Sequence, residues 1–197
     1  MPAGEIQTKS KYVLGCDFGR VSDETALVVI EQTPFSQGND ALFVVYIETH
    51  QNKPLTHAIG RIKYLDSKFH FKRIFLDATG MGTGPSDILK EELGGRVEGI
   101  NFTLNSKAEM FTNLKLLLQQ GKLKIPTPDN SIPNTKKLTY QLLSIQSEYT
   151  SSGIPKLSHP DNTHDDSVCA LALASLYFKP GRGTSKGYGL AGGTRGI

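Results

Sequence analysis

The chain has 197 residues, of which 38% are hydrophobic and 21% are charged, which fits one domain with a real core and excludes a globally disordered chain. The net charge is +3, but Lys179, Arg182, Lys186 and Arg195 carry +4 beyond Phe178 with no acid among them, which leaves the body at −1. A body this close to neutral does not grip a polyanion through bulk electrostatics, so a local patch or another domain would have to do so.

Residues 1–10 are polar and predict a frayed end. Lys11–Asp17 predicts a strand, and its Tyr12, Val13 and Leu14 are apolar toward both faces, as in a central strand covered on both sides. Gly19–Glu24 is turn chemistry, and Thr25–Glu31 is a second strand rich in Val and Ile. Pro34, Gly38 and Asn39 mark a hairpin loop over 33–40, and Ala41–Glu48 is a third strand. Short links between three strands make an antiparallel meander. The period then changes. Leu55, Ile59, Ile62 and Leu65 recur at helical spacing over Leu55–Phe69. Lys72–Asp77 is a short strand ending at an acid, and Ser86–Leu93 is a helix with Pro85 suited to its first turn. Val97–Phe102 is another strand. Ser106–Gln120 is a helix opened by a capping box of Ser106 and Glu109. Lys122–Ile125 is extended and ends at Pro126, Asn134–Gln146 is a helix, and Ser147–Ser158 is a β-ribbon turning near Ser151–Gly153. Asp165–Phe178 is a nearly all-apolar helix and should be buried. Pro180–Ile197 is Gly-rich and basic, as in a flexible tail.

This order predicts an α/β domain over 11–178 with a tail over 179–197. Its mixed sheet has three antiparallel strands and then parallel ones, with helices on both faces. Cys16 and Cys169 lie in apolar segments, which suits a reducing compartment rather than a disulfide framework. No Cys or His spacing fits a zinc site. The longest apolar run, near Val168–Phe178, is too short for a bilayer, and no export signal opens the chain.

Three acidic positions stand out. Asp17 ends the first strand, Asp77 ends the fourth, and Asp165 and Asp166 open the last helix. If strands one and four are parallel neighbours, their C-terminal ends coincide, and ligand sites in open α/β sheets form at that edge. Crowded carboxylates repel one another, and a hard divalent cation removes the cost. Mg²⁺ takes oxygen ligands and keeps several waters, so a few carboxylates and a substrate phosphate complete its shell. Two such ions about 4 Å apart can activate a water and stabilise the leaving oxygen in phosphodiester cleavage. Each acid also has a plain structural reading. Asp17 and Asp77 suit turns, and Asp165 and Asp166 suit a helix start capped by Thr163. Asp23, six residues past Asp17, is either an outer ligand or a solvated turn residue. Only the set of three positions favours a metal site.

The segments VLGCDFGRVSDETALVVIE (Val13–Glu31), IFLDATGMGTGPSDIL (Ile74–Leu89) and HDDSVCALALA (His164–Ala174) resemble the three motifs of viral terminase large-subunit nuclease domains. The resemblance covers roughly residues 11 to 178 and implies a ribonuclease H-like fold. It also implies a Mg²⁺- or Mn²⁺-dependent endonuclease that cuts concatemeric double-stranded viral DNA during packaging in the cytoplasm of the host cell. It matches the family's catalytic acids to Asp17, to Asp77 and to Asp165 or Asp166, with Asp23 as a further metal ligand and His164 as a possible auxiliary residue. It implies an ATPase domain, a small terminase and a portal as partners in a full-length protein. This chain has no G-x-x-x-x-G-K-[ST] phosphate loop, so it reads as the nuclease domain alone or a stand-alone relative. Lys122, Lys124, Lys136, Lys137 and Lys156 are candidates for DNA contact, although charged surface residues are usually only solvated.

Three other readings share parts of this pattern. Actin-like and sugar-kinase ATPases also begin with strand–Asp–x–Gly, but they need two such domains, and ATP hydrolysis would mark them. Holliday-junction resolvases and transposases share the acids, and cleavage of branched substrates would mark them. A non-enzymatic docking module would keep the fold without metal-dependent nicking.

Overall fold

The computed structural model describes residues 10–19, 24–34, 40–128, 131–149, 155–158 and 164–179. Asp23, Thr163, the turn near Ser151–Gly153 and the tail from Pro180 lie outside the described residues. The main sheet is built from β1 (Lys11–Asp17), β2 (Thr25–Thr33), β3 (Ala41–His50), β4 (Arg73–Asp77), β5 (Val97–Ile100) and β6 (Leu123–Lys124). Their order is β5-β4-β1-β2-β3-β6. β1, β2 and β3 pair antiparallel, as the short links between them require. β4 lies parallel to β1, β5 parallel to β4, and β6 parallel to β3. β7 (Gln146–Tyr149) and β8 (Pro155–Ser158) form a separate antiparallel pair, the expected ribbon.

The crossovers are helical. α1 (Leu55–Phe69) links β3 to β4, α2 (Thr83–Leu93) links β4 to β5, and α3 (Leu104–Gln119) links β5 to β6. α4 (Thr135–Ser144) and α5 (Asp166–Ser175) follow, and α5 runs on into a 3₁₀ turn over Leu176–Phe178. Several bounds differ from the sequence reading by a few residues, and one cap differs in chemistry. α3 is capped by Thr103, whose hydroxyl accepts from Ser106 N at 3.1 Å, while Ser106 Oγ accepts from Thr103 N at 2.8 Å. The capping box is therefore Thr103–Ser106, one turn earlier than Ser106–Glu109. The same serine serves as the third helical residue because Thr103 offers an equally good acceptor upstream.

Side chains alternate across a strand, so each strand sorts its residues between two cores. In β1, Val13 packs on the side of α3, α4 and α5, whereas Leu14 and Cys16 pack on the side of α1 and α2. In β4, Phe75 belongs to the first core, and Ile74 and Leu76 belong to the second. Continuing the alternation puts Asp17 and Asp77 on the first side. α5 lies there with every residue from Asp166 to Ser175 buried. An apolar helix without a polar face needs such cover, and β1 and β2 below with α3 and α4 beside supply it.

One residue lets α5 come this close. A Cβ built on Gly15 would stand 2.0 Å from Ala170 O and 2.6 Å from Ala174 N, both helix backbone atoms that cannot swing aside. Gly15→Ala is therefore expected to cost about 3 kcal/mol, the upper end of ordinary overpacking. Gly60, inside α1 with nothing within 4 Å of its Cβ position, is the control. Gly60→Ala is expected to stabilise by roughly 0.5–1 kcal/mol. Urea unfolding midpoints at unchanged slope check both.

Candidate acidic site

The parallel pairing sets Cys16 beside Leu76, so the next residues, Asp17 and Asp77, sit side by side at the C-terminal ends of adjacent strands. Both end their strands on the α5 side. The rim around them is tied down by the backbone. Gly19 N donates to Thr25 Oγ1 at 3.1 Å, closing the start of the turn after β1. Ala78 N donates to Ile100 O at 2.9 Å, and Phe102 N donates to Thr79 Oγ1 at 2.7 Å, fastening the end of β4 to the end of β5. A Cβ on Gly82 would meet Asp77 O at 1.9 Å, so the Gly80–Gly82 turn folds back on β4 only because that residue has no side chain.

α5 delivers the remaining acids. Asp165 is its N-cap and Asp166 its first helical residue. Asp165 makes no capping bond with its side chain. Gln141 of α4, itself buried, accepts from Ser167 N at 3.1 Å and satisfies that donor from outside the helix. The Asp165 carboxylate is turned instead to Lys107, whose Nζ donates to Oδ2 at 2.9 Å. Asp17, Asp77, Asp165, Asp166 and Lys107 thus line one cleft of about 150 Å³, with Phe102 and Cys169 among its apolar walls.

The plain structural readings are partly realised. Asp77 does serve the following turn, since its Oδ1 accepts from Thr79 N at 2.8 Å. Asp165 stands at the helix start without capping it. His164 is exposed, with Nδ1 3.8 Å from Asp166 Oδ2, too far for a hydrogen bond. Lys137 on α4 pairs with Glu24 and lies close enough to Asp166 to feel it. Lys136 is exposed beside it. Lys122 precedes β6 and Lys124 ends it, at the opposite end of the sheet, because Leu123 pairs with Leu42 whereas Thr49 pairs with Ala26 beside Asp17. The seven steps of β3 between Leu42 and Thr49 span roughly 25 Å at about 3.4 Å each, so these lysines do not share a groove with the acids. Lys156 lies on β8, on the separate hairpin.

Lys107 and Gln141 join the site without a motif in the sequence to mark them. Gln141 carried no signal, because it acts across two helices. Lys107 carried a faint one. It sits at the N-terminal end of α3, where the helix dipole disfavours a cation, and a residue that breaks a local rule marks a site that uses it.

Electrostatics follow from the crowding. Burial first, and then the nearby Asp77, Asp166 and Asp165, push the Asp17 carboxyl well above its ordinary range, and Lys107 opposes them. Burial alone would lower the Lys107 ammonium, but the Cys169 sulfur with the Asp165 and Asp17 carboxylates raises it overall. Burial, and next Asp17, raise both Cys16 and Cys169, so neither thiol is a nucleophile at neutral pH. Among the described residues, no three His, Cys, Asp or Glu side chains close into a ready ligand set for an ion. The donors nevertheless fit a hard divalent cation. They are all carboxylate oxygens, they repel one another, and such an ion takes only one or two of them while keeping its waters.

A mixed sheet of this order, with acids at the ends of β1 and β4 and at the head of α5, is a ribonuclease H-like domain. The chain belongs to the terminase ribonuclease H-like domain family, whose model matches residues 14–178. The large terminase nuclease from thermophilic phage G20c, with bound magnesium, is similar at a TM-score of 0.68 and 22% identity, over 85% of this chain and 81% of that one. The g2p nuclease domain of bacteriophage SPP1, with bound Mn, is similar at 0.55 and 18%, over 83% and 84%. The HK97 bacteriophage large terminase is similar at 0.62 and 14%, over 86% of this chain but 40% of that one. At these identities the structures speak for the fold. No curated protein matches the chain.

The raised Asp17 carboxyl has a sign. In the folded state it keeps its proton to a higher pH than in the unfolded chain, whose value is near 3.8, so stability falls as pH rises through that window. Asp17→Asn is therefore expected to stabilise the metal-free protein at pH 7, because an amide carries no charge to be buried beside the other acids. The gain should vanish at about pH 2.5, well below the unfolded value, where both states are protonated. Urea unfolding in EDTA at the two pH values checks it.

Proposed function

We propose that the chain is the nuclease domain of a phage large terminase, a divalent-metal-dependent endonuclease that cuts concatemeric double-stranded DNA during genome packaging. One observation carries the reading. Asp17 and Asp77 end adjacent parallel strands on one face, and the head of α5 brings Asp165 and Asp166 into the same cleft. Membership of the terminase family and the magnesium- and manganese-bound neighbours support it.

In this reading Asp17, Asp77 and one or both of Asp165 and Asp166 hold the metal. Bound there, one or two Mg²⁺ or Mn²⁺ ions supply Lewis-acid charge and a more acidic water for phosphodiester hydrolysis. The chain's own part is positional. Two rigid strands fix the first pair of carboxylates, and Gln141 leaves Asp165 directed at the cleft rather than at its own helix. Phe102 and Phe18 close apolar walls around the site. No cysteine or histidine supplies a nucleophile.

DNA is held locally, since the body as a whole carries little positive charge. On α4, Lys137 is paired with Glu24 and close enough to Asp166 to feel it, so a phosphate at the cleft is nearer to this helix than to Lys122 or Lys124. The chain corresponds to 40% of the HK97 large terminase, and we assign the ATPase domain, small terminase and portal contacts to a longer protein working in the host cytoplasm.

Supercoiled plasmid should be nicked in Mn²⁺ or Mg²⁺ and left intact in EDTA. Asp17→Asn and Asp77→Asn should each slow nicking by roughly 10²–10³, the loss of several kcal/mol of metal-borne stabilisation. Circular dichroism should show both variants folded. Parental nicking by Asp77→Asn would remove the assignment.

A further inference from the structure

We propose that Lys107 is the resident counter-ion of the acidic cleft, holding Asp165 until a divalent cation displaces it, so that ammonium and cation compete for one carboxylate. The proposal rests on reading the cleft as a divalent-cation site.

Four carboxylates line the cleft, and Lys107 is the one cation among its described lining residues. Its Nζ stands 2.9 Å from Asp165 Oδ2, with the lysine side chain 29% exposed and the aspartate 16%. Water therefore screens the pair only in part. The lysine is held from both ends. α3 starts at a doubly hydrogen-bonded cap fixed to the end of β5, and the ammonium lies 5.7 Å from the centre of the Phe111 ring, one turn along the same helix. Asp165 is equally committed. It caps nothing, because Gln141 serves the helix end in its place. A carboxylate that caps no backbone donor, with the Cys169 thiol beside it, and a cation placed against its helix dipole together describe a charge pair kept for the cleft.

The arrangement answers two needs. Without metal, the ammonium limits the repulsion that assembling the acids creates. With metal, it must move, because a dication and an ammonium on the same carboxylate repel strongly at such distances. Freed, the ammonium remains at the cleft mouth, within reach of an incoming phosphate.

A lysine that only braces the fold, or that only contacts DNA, would leave the intrinsic metal affinity unchanged or weakened when removed. Competition predicts the opposite sign. Isothermal titration of Mn²⁺ into the full chain without DNA reads it directly. Lys107→Met should bind Mn²⁺ about tenfold more tightly than the parent, the scale on which neighbours of a metal site usually act. Lys107→Arg, which keeps the charge, should stay within about twofold. Adding Asp165→Asn to Lys107→Met should abolish the gain, since the contested carboxylate is gone. Lys107→Gln reads the same quantity if the Met variant does not fold. Equal or weaker Mn²⁺ binding by the neutral variants overturns the competition while leaving the metal site in place. A parent that binds no Mn²⁺ overturns both.

Discussion

The contact between Gly15 and the backbone of α5 sets the depth at which that helix lies on the sheet. The approach of Asp165 and Asp166 to the strand-end acids depends on it. With a side chain at that position the helix would stand off by the width of a methyl group or more. Asp165 and Asp166 ride on the first turn of α5, so they would retreat from Asp17 and Asp77 by the same amount. The apolar length of the helix, buried from Asp166 to Ser175, gives this geometry its stiffness. Close-packed interiors do not deform smoothly, so the acids are held at one separation.

That assembly is electrostatically unfavourable by itself, and the fold offsets it only in part. Lys107 places one positive charge among four carboxylates. Gln141 takes over the helix cap, so the Asp165 carboxylate is not spent on backbone donors. The residual strain stays at Asp17, whose carboxyl remains raised by burial and by its neighbours. Structural economy would place an apolar residue there. A buried acid facing other acids makes sense where a cation is to be bound, and this trade of stability for affinity is usual at functional sites.

Much of this could be read along the chain. The change from period two to period 3.6 after β3 separated the meander from the crossovers. The apolar faces of β1 on both sides marked it as central. The acids at the ends of β1 and β4 were visible as such because each strand stops where its hydrophobic run meets an aspartate. The capping box falls at Thr103–Ser106 rather than Ser106–Glu109, since Thr103, Ser106 and Glu109 all have capping chemistry and only the loop geometry after β5 decides among them. The lysines of β6 looked equivalent to those of α4. Their separation from the acids follows from a two-residue pairing with the far end of β3, which leaves no trace in local composition.

The sequence by itself determined the elements, the alternation that assigns each side chain to a face, and the family to which the chain belongs. The elements and the alternation follow from local propensity and periodicity, which act over a few residues, and the family follows from three motifs whose residues stand in order along the chain. Only the tertiary structure decided that β4 lies parallel beside β1, that Gly15 admits α5, and that Lys107 and Gln141 complete the site from two further helices. Those contacts join residues 26 (Gln141 and Ser167) to 159 (Gly15 and Ala174) positions apart. They are fixed by packing and charge in three dimensions, where separation along the chain carries no information about distance.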